Sequence, residues 1–310
     1  MVTTLRGVLP VVQTPFDIDG EVSPKELEAE IAWILAAGAD GIVMGMVTEI
    51  LRLDDSERDL VAEVMCKASG GAPVVISVGA ESSTIAARRA QKAETLGASA
   101  VMAVPPLSFQ LDQHGLLNYY AALFSATSLP VIIQDASGYV GSALPVSLQA
   151  ELFERYGCRA MFKPEAPPLG VNLTKLAQAT ENQATIFDGS GGIALIETFR
   201  RGVSGTMPAA DVCWAIVAAW RALMAQDLDA AYELVGPLGA LIALQTGLDG
   251  YVTIEKYLLE KQGVISTTHC RGPLAFHMDE LLRTEVDELF DRLRSVVTRQ
   301  AEKSASPARL

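Results

Sequence analysis

Histidine and cysteine are scarce in this chain of 310 residues, and neither is grouped. The three histidines, His114, His269 and His277, stand far apart and none falls at an expected strand end, so no histidine-based metal site is read from the sequence. The four cysteines at 66, 158, 213 and 270 form no CxxC pair and read as reduced thiols of a cytoplasmic protein. Basic residues are also short, 24 Lys and Arg against 37 Asp and Glu. The net charge of −13 argues against nucleic acid or an anionic membrane surface as a partner. No apolar run reaches the length of a membrane span, and the first residues lack the layout of a signal peptide. The first βα turn has no GxGxxG fingerprint of a dinucleotide fold. Neither a cofactor nor a metal is expected.

What the chain does have is a hydrophobic half, enough for a large core, and a length that suits one α/β barrel or two ordinary domains. Short apolar runs, each closed by Gly, Pro or a polar residue, recur as expected strands over 7–14, 41–45, 73–79, 100–105, 130–135, 160–163, 184–189 and 202–207. Their ends are one βα unit apart, except for the last step, which leaves room only for a short helix over 193–200. Between them lie helix signals: Ser23-Pro-Lys-Glu26, Asp54-Asp-Ser-Glu57, Ser82-Ser-Thr84 and Leu144-Pro-Val-Ser-Leu148 as starts, with Gly38, Gly70 and Gly97 at ends. Eight alternating units predict a (β/α)8 TIM barrel over residues 1–210. Residues 211–299 read as a helical extension of roughly three helices (215–225, 228–245 and 279–298). Residues 300–310 read as a polar tail that frays.

Active sites of such barrels are built at the C-terminal ends of the strands. There Lys163 stands out among eight lysines, at the tip of the apolar run in Arg159-Ala-Met-Phe-Lys-Pro-Glu165. The other seven lie in polar or amphipathic stretches, such as Ile254-Glu-Lys-Tyr257, where the charged tip is expected to reach water. Desolvation disfavours an ammonium, and a neutral amine is a nucleophile toward carbonyls. A snorkelling or salt-bridged lysine is the plain alternative. Glu165 follows by two residues, and proline favours extended backbone before it, so both side chains should face the same way. That carboxylate either shuttles protons or pairs with the lysine and keeps it charged. Asp135 should alternate away from Gln134. Glu49 suits a loop cap as well as a substrate contact, Tyr119-Tyr120 suits helix packing, and Asp188-Gly-Ser-Gly-Gly192 suits a tight turn or a phosphate cradle.

The order and spacing of these strand-end segments resemble the dihydrodipicolinate synthase/N-acetylneuraminate lyase superfamily of Schiff-base aldolases over nearly the whole chain. The carrying features are Val11-Val-Gln-Thr-Pro-Phe16, the Gly45–Glu49 loop with Leu53-Asp-Asp-Ser-Glu-Arg58, Val104-Pro-Pro106, Leu129-Pro-Val-Ile-Ile133, Lys163 and Asp188-Gly-Ser-Gly191. The resemblance implies a lyase whose Lys163 forms an imine with a small-molecule 2-oxo acid such as pyruvate, in a homotetramer built as a dimer of dimers. It implies a substrate site around Gly45, Met46, Val47, Thr48, Gly189 and Met207, with Lys163, Gln134 and Glu165 at the reacting centre.

The departures narrow this. The family loop Gly-Thr-Thr-Gly-Glu is Gly45-Met-Val-Thr-Glu49 here, so two hydroxyls are gone, while the Met46 and Val47 amides can still hold a carboxylate. Gln134 stands where the family has a proton-relaying tyrosine, and an amide orients groups but does not titrate. Tyr139 aligns with the arginine that holds the second substrate in dihydrodipicolinate synthases, which argues against lysine biosynthesis. Met46, Val47 and Leu107 point to a second substrate smaller or less polar than a polyhydroxylated sugar acid. Metal-assisted aldol cleavage and a non-catalytic 2-oxo-acid-binding paralogue are the alternative functions.

Overall fold

The computed structural model describes residues 5–305, with side chains through residue 303. Eight parallel strands, β1 (Gly7–Val8), β2 (Ile42–Val43), β3 (Val74–Ser77), β4 (Ala100–Ala103), β5 (Val131–Asp135), β6 (Ala160–Pro164), β7 (Thr185–Asp188) and β8 (Gly205–Thr206), alternate with helices. From β2 onward each strand pairs with the next, and β8 pairs with β1. The seam between β1 and β2 is closed by a parallel bridge, Val11 to Val43, with the Val43 amide donating to Pro10 O at 2.8 Å. The sheet is thus a TIM barrel, with strands shorter than the apolar runs because the ladder stops where the loops begin.

The period of two decides what each strand buries. Val43, Val75, Met102, Ile132, Met161, Phe187 and Met207 fill the lumen as one cluster. Their neighbours Ile42, Val74, Val101, Val131, Phe162 and Ile186 face the helices in a second, larger one. Lys163 follows Met161 by two and Gln134 follows Ile132 by two, so both lie on the lumen side, opposite each other in the β5–β6 register.

The first seven helices, α1 (Pro24–Ala36), α2 (Asp55–Ala68), α3 (Ser83–Leu96), α4 (Gln113–Ala126), α5 (Val146–Tyr156), α6 (Leu169–Ala179) and α7 (Leu195–Phe199), cover the sheet. Asp54 caps α2 as expected, accepting from the Glu57 amide while Glu57 reaches back. Ser23 and Ser82 occupy the N-cap positions of α1 and α3 without a side-chain cap bond, and α1 starts on Pro24 as expected. Asp112 caps α4, a start that the sequence reading passed over. Gly38 and Gly97 adopt the left-handed backbone at helix ends, φ 93° and 92°.

Beyond β8 the structure departs from the expected three helices. It has four, α8 (Cys213–Met224), α9 (Leu228–Ile242), α10 (Gly247–Lys261) and α11 (Glu280–Ala305). Helix α8 packs on β1 and α7, so the expected boundary at residue 210 parts β8 from its own helix. Helix α10 carries Gly247 and Gly250 and two buried charged residues, Glu255 and Lys256, which break the apolar period that reveals a helix. The expected tail is helical to residue 305; residues 306–310 lie outside the described residues. No helix among the described residues is long and apolar enough to cross a membrane.

Candidate active site

Lys163 is 4% exposed, at the C-terminal end of the barrel lumen. Its Nζ lies 2.8 Å from Glu165 Oε1, in an ion pair whose two side chains are almost fully buried. The extended backbone expected through Pro164 makes this contact. The ladder runs one step past the strand, with the Glu165 amide donating to Asp135 O at 3.0 Å, so Glu165 stands on the same face as Lys163. Gln134 Nε2, directly across from Lys163, donates to Glu165 Oε1 at 2.9 Å and to the Tyr139 hydroxyl at 3.2 Å. Tyr139 also bonds to Glu165, and burial, with that carboxylate beside it, pushes the phenol well above its ordinary range. A phenol therefore does stand beside the lysine–carboxylate pair, five residues beyond Gln134, at the position the resemblance assigns to an arginine.

Gly189 sits against the Glu165 carboxyl: a Cβ added there would lie 2.5 Å from Glu165 Cγ and 2.8 Å from Oε1. The glycine turn is thus a close approach to Glu165, with Gly191 and Gly192 both in the left-handed region. Asp188, one residue out of phase with Phe187, is buried. It accepts from the Thr206 hydroxyl at 2.9 Å and the Ser190 amide at 3.2 Å, which pins the turn between β7 and β8. Burial raises its pKa, opposed by those two bonds and by the nearby Lys163 charge.

The loop after β2 forms a 3-10 turn over Met46–Thr48. Thr48 is fully buried and its hydroxyl is occupied, donating to Val12 O at 2.7 Å and accepting from the Gly45 amide at 2.9 Å. Thr14 adds a bond to Thr48 O at 2.6 Å. Glu49 neither caps the loop nor faces the site: its carboxylate pairs with Lys256 in a contact with no exposure on either side and accepts the Arg271 amide at 3.0 Å. Lys256 also stacks 4.4 Å above the Phe16 ring. This overturns the expectation that every lysine but Lys163 reaches water; Lys256 is deeper than Lys163, and its partner lies 207 residues away in sequence.

A cavity of about 220 Å³ opens above Lys163 and Glu165, too small for a dinucleotide and of a size for a short acid. Met46, Val47, Gly189 and Met207 line it, whereas Gly45, Thr48 and Gln134 stand behind its wall and hold what lines it. Leu107 lines a separate depression with Phe109 and Leu144. The far wall comes from the C-terminal helices: Gln245, Tyr251 and Glu255, with Asp211 after β8. That wall is mixed: Val212, Ile216, Ile242 and Leu248 lie among its polar groups. Strand-end reading missed these residues because tertiary packing, not local spacing, delivers them. Asp135 turns away and ties the following loop, accepting from the Ser137 amide at 3.0 Å and the Leu144 amide at 2.8 Å. Tyr119 and Tyr120 are buried on the α4 face, donating to Val104 O and Ala103 O.

The chain aligns over 309 residues, at 29% identity, with an L-2-keto-3-deoxyarabonate dehydratase of Azospirillum brasilense, covering 96% of this chain and 97% of that one. A 4-hydroxy-tetrahydrodipicolinate synthase of Thermomicrobium roseum is 29% identical over 250 residues, 78% of this chain and 81% of that one. Among solved structures, the fold matches a dihydrodipicolinate synthase from Rhodopseudomonas palustris, with a TM-score of 0.86, 24% identity, and 93% of this chain and 98% of that one covered. It also matches the Ruminococcus gnavus sialic acid aldolase, with a TM-score of 0.85, 19% identity, and coverage of 95% and 98%. The model of the Dihydrodipicolinate synthetase family matches residues 4–292, and the chain belongs to that family.

Proposed function

We propose that the protein is a class I lyase that dehydrates a 2-oxo-3-deoxy sugar acid through a Schiff base on Lys163, and that it is not a dihydrodipicolinate synthase. One observation carries the reading: a buried amine and a buried carboxylate, 2.8 Å apart on one strand face, at the floor of a small cavity. Full-length likeness to a protein named as a dehydratase of a 2-keto-3-deoxy acid favours dehydration over condensation.

The substrate carboxylate is held by the Met46 and Val47 amides, which a short 3-10 turn leaves without partners of its own. Lys163 passes a proton to Glu165, and its neutral Nζ bonds to C2 of the substrate. In the resulting carbinolamine the C2 oxygen takes one proton from Nζ and one back from Glu165, and it leaves as water to yield the iminium. That cation draws electrons from C3, and the Glu165 carboxylate removes a C3 proton. The C3 electron pair forms a C3–C4 double bond as the C4 hydroxyl departs, taking the proton from Glu165 and leaving as water. Hydrolysis of the conjugated iminium consumes one water, frees Lys163 and gives a net loss of one water. Gln134 and Tyr139 aim the Glu165 carboxylate, and Gly189 leaves room for it. The assembly we propose is the homotetramer, a dimer of dimers of 33.0 kDa chains, in the cytoplasm.

The test is product analysis with L-2-keto-3-deoxyarabonate as probe. The expected product is lighter by one water, with no pyruvate formed. Release of pyruvate would make the enzyme an aldolase. Saturable binding without turnover would make it a binding paralogue.

A further inference from the structure

The C-terminal wall of the cavity contains a carboxyl group that the reaction above does not use. Glu255, on α10, lines the same cavity as Lys163 yet has no exposure to solvent. Its Oε2 accepts a short hydrogen bond from Gln13 Nε2, and its Oε1, also buried, has no hydrogen-bond partner among the described residues. No cation is paired with it: the adjacent Lys256 is turned to Glu49, and the groups that bear on Glu255 are the carboxyls of Asp211 and Glu30. Burial first, then those two carboxyls, push its pKa well above the carboxylate range. Buried beside two other carboxyls and without a cation, Glu255 is driven toward its neutral form. Since Oε2 is engaged by Gln13, Oε1 is the oxygen of this carboxyl left for a ligand.

Its neighbours on that wall suit the same kind of contact. Gln245 donates to Asp211 Oδ2 at 3.5 Å, a long bond that leaves its amide only loosely engaged. Burial pushes Asp211 up to about 7. Burial first, then the carboxyls of Glu255 and Glu165, raise the Tyr251 phenol, and its ring centre lies 6.2 Å from that of Tyr139. Buried donors and acceptors of this kind suit hydroxyl groups, and the wall offers a second carboxylate no cation.

We propose that Glu255 is a specificity-determining residue: its carboxyl donates a hydrogen bond to a hydroxyl oxygen at the end of the substrate remote from the carbon joined to Lys163, with Gln245 and Tyr251 completing a distal subsite for hydroxylated 2-oxo acids. The proposal rests on the reading of Lys163 as the imine-forming residue. On that reading, the polar contacts that the Met46-Val47 turn lacks come from Gln245, Tyr251 and Glu255.

The experiment compares wild type, Glu255→Leu and Glu255→Gln, with melting checked for each and Glu255→Ala replacing the leucine variant if that does not fold. Two probes are used: L-2-keto-3-deoxyarabonate for KM and kcat, and pyruvate, which has no distal hydroxyl, for borohydride trapping. The leucine variant should raise KM for the sugar acid about tenfold or more, with kcat within about threefold, while half-saturation of pyruvate trapping stays at the wild-type value. The glutamine variant keeps a donor in place and should stay within about threefold of the wild-type KM. An unchanged KM in the leucine variant, a glutamine variant as poor as leucine, or a parallel loss of pyruvate trapping would each overturn the subsite. Failure of the wild type to trap pyruvate at all would instead sink the imine reading, and the subsite with it.

Discussion

Glu30 offers a test of the buried acid cluster that leaves the reacting groups alone. Its side chain, on α1, has no exposure; Oε1 accepts the Gln13 amide at 2.8 Å, and Oε2 has no partner among the described residues. Burial pushes the carboxyl from its ordinary 4.5 up to about 8, against the opposing pulls of the Gln13 amide and Lys256. Between those two values the folded chain keeps a proton that the unfolded chain has released. The folded state then binds more protons, so this contribution is fully present below pH 4.5 and is lost as pH rises toward about 8. At about 1.4 kcal/mol for each pH unit, the whole window is worth about 5 kcal/mol. Asp211 adds a loss of the same sign, from its ordinary 3.8 up to about 7. Glu30→Gln removes the titrating group and keeps an acceptor for the Gln13 amide. Guanidinium unfolding at fixed protein concentration, from about pH 5 to about pH 9, reads the difference between variant and wild type, in which other titrations cancel. That difference should swing toward the variant by up to about 4 kcal/mol, the part of the window above pH 5. A level difference across the window would refute the claim that Glu30 is buried as a neutral acid.

Glu165→Gln should lower turnover of the sugar acid by about 10²–10⁴ while the folded protein still accumulates a borohydride-trapped pyruvate adduct on long incubation, as read by intact mass. Gly189→Ala places a methyl group 2.5 Å from Glu165 Cγ at a position whose backbone tolerates alanine. A displacement of the carboxylate by an ångström should reduce kcat about 10²-fold, with melting changed little. Lys256→Met strands the Glu49 carboxylate in the core and should destabilise the chain by about 3–5 kcal/mol in denaturant, and adding Glu49→Gln should recover part of that loss.

The barrel was legible because its signals are local. Strand alternation with period two carried Glu165 to the face of Lys163 and turned Asp135 away from Gln134, and the structure has them so disposed. The cap at Asp54 and the glycines ending α1 and α3 were readable for the same reason. What escaped was set by contacts between distant segments. Helix α10 was missed because Glu255 and Lys256 sit at buried positions where the apolar period demands hydrophobes, and the partners that make their burial tolerable, Gln13 and Glu49, lie more than two hundred residues away. The same distance hid the far wall of the cavity. Tyr139 was legible as a residue but not as a partner of Glu165, since the loop that folds it back is fixed by the Asp135 carboxylate bonding to Ser137 and Leu144.

Imine formation on Lys163 is the claim on which the function rests, and one measurement reaches it directly. The protein is incubated with pyruvate and borohydride, digested, and the modified peptide identified by mass spectrometry. The account predicts a single reduced pyruvate adduct on Lys163, absent from the folded Lys163→Ala variant. An adduct on another of the eight lysines, or equal trapping by Lys163→Ala, would contradict it.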